Sequence, residues 1–287
     1  MASLRDLKLR IRSVKSTQKI ARAMEMVAAA KMKKAQQQAL MGRPYLNKLR
    51  EVLNSLIFSS EPKLSHPFME SNSESSRIGY IVITANRGLC GAFNSGIIKT
   101  SFEIFSKNSP EQNIVITVGK KGRQAMQRIG QATLGDFEKV ITSPNFLDIL
   151  GIAKLVKEEY LQGKLKEVHL VYNHFYSTST QKPIIQKLLP IEADSALINT
   201  KALKSEYIFE GDKTKLLDQL LRRLINTNVY QAILESAASE HSARMMAMHK
   251  ASDSAKEIVS NLSLEYNKGR QAKITTQLLE IVSGSSQ

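Results

Sequence analysis

The sequence has one cysteine, Cys90, no tryptophan and only 6 % aromatic residues in 287 positions. A single cysteine excludes an internal disulfide framework and a cysteine-built zinc site within one chain, and it fits a reducing compartment. No run approaches the roughly 20 apolar residues that a bilayer-spanning helix needs. The N-terminus, MASLRDLKLR, has basic residues but no apolar stretch behind them, so no secretory signal is expected. A helical pattern also starts at once, which argues against a cleavable organelle peptide.

What the chain does have is positive charge and long helical patterns. The formal net charge is +15, and apolar residues make up 42 %, enough for a real core. Residues 1–58 hold thirteen Lys/Arg against three Asp/Glu, so the basic character belongs mainly to the N-terminal segment. Such a segment calls for an acidic partner, a nucleic acid or an anionic surface. Residues 1–44 carry no aromatics of the kind that stack single-stranded bases. A solvated face or a protein partner therefore ranks ahead of nucleic acid.

Alternating steps of three and four from Leu4 to Leu56 land on an apolar, non-glycine residue at thirteen of sixteen positions. That is a heptad seam, the mark of a helix packed in a coiled coil. Pro44 is expected to kink or break it. Ile20, Met24 and Val27 lie off the seam and imply a further partner. The same stepping from Leu217 to Tyr266 gives eleven apolar positions of fifteen. No Gly or Pro interrupts the stretch between Gly211 and Gly269, which as a helix would span about 85 Å. The two helices are expected to pair with each other, antiparallel.

The middle differs in kind. Residues 59–76 are polar with two prolines and read as a linker. Strand-like runs at 77–84, 114–118, 138–141, 168–172 and 184–189 then alternate with helical patterns at 93–107, 120–129 and 146–162. This alternation predicts a mostly parallel sheet with helices on its faces, the last strand pair being antiparallel. The expected class is α/β. A long antiparallel coiled coil of terminal helices, 1–58 and 211–287, carries a central Rossmann-like domain over 77–210.

The loop ITANRGLCGAFNSG, residues 83–96, looks at first like a phosphate cradle. Its glycines fall at Gly88, Gly91 and Gly96, which fits neither the dinucleotide fingerprint nor the P-loop, and no lysine stands at the P-loop position. A tight strand-to-helix turn also uses glycine. GKKGR, residues 119–123, reads as a basic turn opening a helix. The five histidines do not assemble: His169 and His174 are five apart in a strand, and His241 and His249 are two turns apart. No catalytic, cofactor or metal residues are assigned. Three functional classes follow from the residues: a coupling or scaffold subunit, an α/β enzyme using the glycine loop for a phosphate, and a basic coiled-coil nucleic-acid binder.

Three segments favour the first. STQKIARAMEMVAAAKMKKAQ resembles the N-terminal helix of the gamma subunit of the F-type ATP synthase, and RGLCGAFN resembles its central signature. ESAASEHSARMMAMHKASDSA and YNKGRQAKITTQLLEIVSG are similar to its C-terminal helix. The resemblance covers nearly the whole chain. It implies a non-catalytic rotor shaft that couples proton flow through the membrane c-ring to ATP synthesis on beta. Its partners would be the alpha, beta and epsilon subunits and the c-ring. It implies no cofactor, no nucleic acid, and membrane association only through the complex, at the cytoplasmic face of a bacterial inner membrane. By resemblance Met24 faces the acidic lever region of beta, Arg244, Gln271 and Thr275 serve coupling, and the Ile281–Val282 region lies in an apolar sleeve. Asn86, Ala92, His241 and Gln277 depart from the residues usual in the family.

Overall fold

The computed structural model describes residues 3–60, 64–192 and 207–284. Among the described residues there are ten α-helices and strands. Two are long helices, α1 (Leu4–Phe58) and α5 (Lys213–Gly284). Between them run β1 (Ile78–Ile83), α2 (Phe93–Phe105), β2 (Asn113–Val118), α3 (Lys120–Arg128), β3 (Thr133–Phe137), α4 (Phe146–Leu161), β4 (Glu167–Phe175) and β5 (Gln181–Leu189). By contacts the chain forms two units, residues 30–243 and residues 1–29 with 244–287.

The five strands form one sheet in the order β3-β2-β1-β4-β5. β1 pairs in parallel with β2 and β4, β2 in parallel with β3, and only β4–β5 is antiparallel. Period-two alternation splits the strand residues between two cores. Tyr80, Val82, Val115 and Val171 pack with Ile97 and Phe105 of α2 and Met126 of α3. Ile81, Ile83, Ile116, Val118 and Leu170 point the other way, into the main core with α4, α1 and α5.

The seam expectation holds at every rung. All sixteen positions from Leu4 to Leu56, and all fifteen from Leu217 to Tyr266, are buried or half-buried. The helices are antiparallel in each unit. In residues 30–243, Arg50 reaches Asn228 at 2.8 Å and Arg43 reaches Glu235 at 3.0 Å. In the other unit, Glu25 meets His249 at 3.1 Å, and Leu4 lies against Gly269. Residues 231–240 of α5 are buried on every face, because that stretch has α1 on one side and the sheet on the other. Small residues make this tight fit feasible, and Ser239 Oγ donates to the Asn173 carbonyl at 3.1 Å.

Two expectations need correction. Pro44 does not end the helix: α1 runs through it to Phe58. The missing N–H belongs to a solvent-facing rung, with Leu40 and Met41 exposed, while Ala39, Leu46 and Leu49 on the other face are buried. Packing on that face outweighs a proline cost of ~3 kcal/mol. The third strand is Thr133–Phe137, not 138–141. Val140 and Ile141 are buried, but from a turn, and the true strand is a mostly exposed edge whose pattern is polar. Apolarity there reported burial, not pairing.

The segment before β1 is also anchored. A short 3-10 turn, Pro67–Met69, places Phe68 fully in the main core. The His66 Nδ1 accepts the Phe68 N–H at 3.1 Å, which leaves Nε2–H to meet Asp218 of α5 at 3.1 Å. Tyr160 donates to the Glu70 carbonyl at 2.6 Å, and burial pushes its phenol up to about 12.

Two tests follow from these contacts. Arg222 first, then His66, hold the Asp218 carboxyl below its ordinary 3.8. A depressed folded value contributes stability above the unfolded pKa that is lost as pH falls through the folded one. Asp218→Asn should therefore flatten the loss of stability below about pH 4, read as the urea midpoint against pH. At Gly119, φ is +97° and a Cβ would lie 2.1 Å from the Thr84 carbonyl oxygen, whereas Gly130, at φ +69°, has open space. Gly130→Ala should cost about 1 kcal/mol and Gly119→Ala about 3 kcal/mol or more, read by denaturant unfolding.

Candidate partner-binding surfaces and the glycine loop

In an open α/β sheet a ligand sits outside the carboxyl ends of the strands, where neighbouring connections diverge. Here that point lies between β1 and β4. The glycine loop follows β1 and turns in a left-handed conformation, with φ +61° at Leu89 and +55° at Gly91. Ala85, Cys90 and Phe93 form a small apolar cluster beneath it, with Ala243 of α5 packed against them. Asn94 Oδ1 accepts the Ala85 N–H at 2.9 Å, and Asn173 Nδ2 donates to the Phe93 carbonyl at 3.2 Å. The crevice is occupied by the protein's own side chains.

A helix N-terminus binds phosphate through unsatisfied N–H groups. The start of α3 has none to offer at its first three positions. The Lys120 N–H goes to Asn86 Oδ1 at 2.8 Å, Lys121 N–H to the Ala85 carbonyl at 3.1 Å, and Gly122 N–H to Thr84 Oγ1 at 2.7 Å. Asn86 also donates, from Nδ2, to the Glu138 carbonyl at 2.7 Å and to Thr142 Oγ1 at 3.0 Å. This explains the amide at position 86: a carboxylate could accept from Lys120 but could not donate to Glu138. Among the described residues, no group of three or more His, Cys, Asp or Glu comes together as a metal site. His169 stacks on Tyr80, while His174 meets Glu235 from the opposite face of the sheet.

The four expected contact residues all fall in the unit formed by residues 1–29 and 244–287. Met24 is half-buried, and its off-seam neighbours Ile20 and Val27 are 58 % and 57 % exposed. Arg244 is half-buried and has partners. Gln271 and Thr275 are exposed, one turn apart, with Thr275 Oγ donating to the Gln271 carbonyl at 3.0 Å. Beyond Gly269, where Leu4 marks the start of α1, residues 270–279 are all exposed, and so is Ile281. They include Ile274, Leu278, Leu279 and Ile281, a group of exposed large apolar residues that calls for a partner surface. The basic face of the same unit, Arg5, Lys8, Arg12, Lys15 and Lys19, borders an open groove of ≈ 640 Å³.

The helix seam was legible in the sequence; its polar interruptions were not. Arg43 with Glu235, Arg50 with Asn228, and Gln231 with the Ala39 carbonyl make polar contacts between α1 and α5. The signal lay in two breaks of the heptad pattern, Gly42 and Gln231, which face each other: a Cβ at Gly42 would lie 2.3 Å from Gln231 Oε1.

The fold is an α/β domain whose main core is closed by two long antiparallel helices, and the stretch of those helices in residues 1–29 and 244–287 carries exposed apolar and basic residues. Comparison with known proteins makes this specific. A family model described as ATP synthase matches residues 3–286. An ATP synthase gamma chain of Legionella pneumophila (strain Corby) is 38 % identical over 289 residues, covering 100 % of this chain and 99 % of that one. One from Heliobacterium modesticaldum is 41 % identical over 292 residues, with the same coverage. The fold is shared with the rotor of the Euglena gracilis mitochondrial ATP synthase, at TM-score 0.68 and 22 % identity, over 94 % of this chain and 98 % of that one. The chain belongs to the ATP synthase gamma-chain family.

Replacing Asn86 with Asp should cost about 1–3 kcal/mol in unfolding free energy, because the Glu138 carbonyl loses its donor and faces a carboxylate. Nucleotide affinity of the isolated chain, followed by calorimetry, should be nil in both proteins.

Proposed function

We propose that this chain is the rotor shaft of a proton-translocating F-type ATP synthase and that it does no catalysis of its own. The observation that carries this reading is the helix pair: two helices of 55 and 72 residues, packed against each other in both units, with family membership over the full length. A shaft changes the state of a surrounding ring only through contacts that differ in energy between ring conformations. The exposed apolar and basic faces of residues 1–29 and 244–287 are suited to that task.

In this reading the coiled coil stands inside the ring of alpha and beta subunits, and the α/β domain and lower coiled coil meet the epsilon subunit and the membrane c-ring. The protein works at the cytoplasmic face of a bacterial inner membrane, held there through the complex. Met24, with Ile20 and Val27 beside it, meets the acidic levers of beta. Arg244, Gln271 and Thr275 make the coupling contacts on α5. The chemistry of ATP belongs to beta. The apolar cluster beneath the glycine loop supports a non-catalytic role for this chain.

Two experiments test it. Mixed with the matching alpha and beta subunits, the chain should form an isolable complex whose multi-site ATPase needs it; no complex, with nucleotide bound by the chain alone, would end this reading. In the full enzyme, Met24→Lys adds a cation where acidic levers are expected. ATP-driven proton pumping should fall about two- to thirtyfold relative to ATP hydrolysis, and unchanged pumping would remove Met24 from the coupling set.

A further inference from the structure

α1 has one weak rung. Pro44 has no N–H to give the Leu40 carbonyl, and Gly42 puts no side chain into the seam. A buried polar cluster lies at the same level. The Glu235 carboxylate of α5 is 4 % exposed. Its Oε1 accepts from Arg43 Nε and from Gln231 Nε2, both at 3.0 Å, and its Oε2 faces His174 Nδ1 of β4. Arg43 Nη2 also donates to the Phe175 carbonyl at 2.9 Å. Gln231 crosses above Gly42 and donates to the Ala39 carbonyl at 2.9 Å. Three elements, α1, α5 and β4, are thus tied together at the proline by directed bonds.

Apolar seams are non-directional, so a one-turn slip of α1 along α5 would again set apolar residues against apolar ones. The cluster does not tolerate that slip. Moved by one turn, Glu235 would stand opposite Ala39 or Asn47, neither of them a cation, and a buried charge would lose its partner.

We propose that Arg43 and Glu235 are positioning residues for coupling, which lock the axial register of α1 against α5 and, through the Phe175 carbonyl, the sheet. The inference rests on the rotor-shaft reading. The expected ring contacts are divided between the helices, with Met24 on α1 and Arg244, Gln271 and Thr275 on α5. Their spacing along the shaft is set by that register, so the lock keeps the two sets of contacts in step.

The test uses the assembled membrane enzyme and compares ATP hydrolysis with ATP-driven proton pumping. Arg43→Met combined with Glu235→Leu removes both charges and orphans neither. Hydrolysis should persist, while protons pumped per ATP fall at least about twofold. Leu53→Ala, a buried seam residue outside the cluster, should lower the melting temperature and leave that ratio unchanged. A normal ratio in the double variant, or an equal fall in Leu53→Ala, overturns the proposal. If the double variant does not assemble, Arg43→Lys decides: it keeps the cation but loses the fork that also reaches Phe175, so a lowered ratio supports the lock and a wild-type ratio overturns it. Failure of the wild-type chain to assemble or pump sinks the rotor reading, and this inference with it.

Discussion

The antiparallel contact between α1 and α5 is the constraint on which the rest depends. Isolated helices are marginal in water, and their stability in proteins comes from burying one face. Here each helix supplies the other's cover, in both units. In residues 30–243, α5 takes a second role, lying between α1 and the sheet with every residue from Gln231 to Glu240 buried. The sheet's main core is therefore closed by the same helices that form the seam.

That arrangement also brings α5 up to the glycine loop that follows β1. The space outside β1 and β4 is filled by Cys90 and Phe93 with Ala243 behind them, and the N–H groups that open α3 are taken by Thr84, Ala85 and Asn86. The glycines serve the turn: Gly91 sits at positive φ, and Gly119 and Gly122 allow Thr84 to approach. The domain keeps the topology of a ligand-binding fold and uses the residues at the end of β1, Thr84 to Asn86, to cap α3.

Polar groups at the helix interface have a different task from the apolar seam. Apolar burial supplies attraction without direction, while Arg43, Gln231 and Glu235 supply direction at one level. Their position beside Gly42 and Pro44 puts directed bonds where the backbone of α1 has one hydrogen bond fewer.

The sequence by itself determined the two long helices, their seam and the alternation of the middle. Each depends on local periodicity, and burial followed the heptad at every tested rung from Leu4 to Leu56 and from Leu217 to Tyr266. It also excluded the known phosphate-loop spacings at Gly88, Gly91 and Gly96. Only the tertiary structure decided that Pro44 lies within a helix, because packing on the far face outweighs a local penalty. It alone moved the third strand to Thr133–Phe137, since an exposed edge strand carries no apolar pattern, and it brought Arg43, His174 and Glu235 together. Those three lie far apart in the chain, and nothing in local spacing encodes a meeting that the antiparallel register and the sheet create.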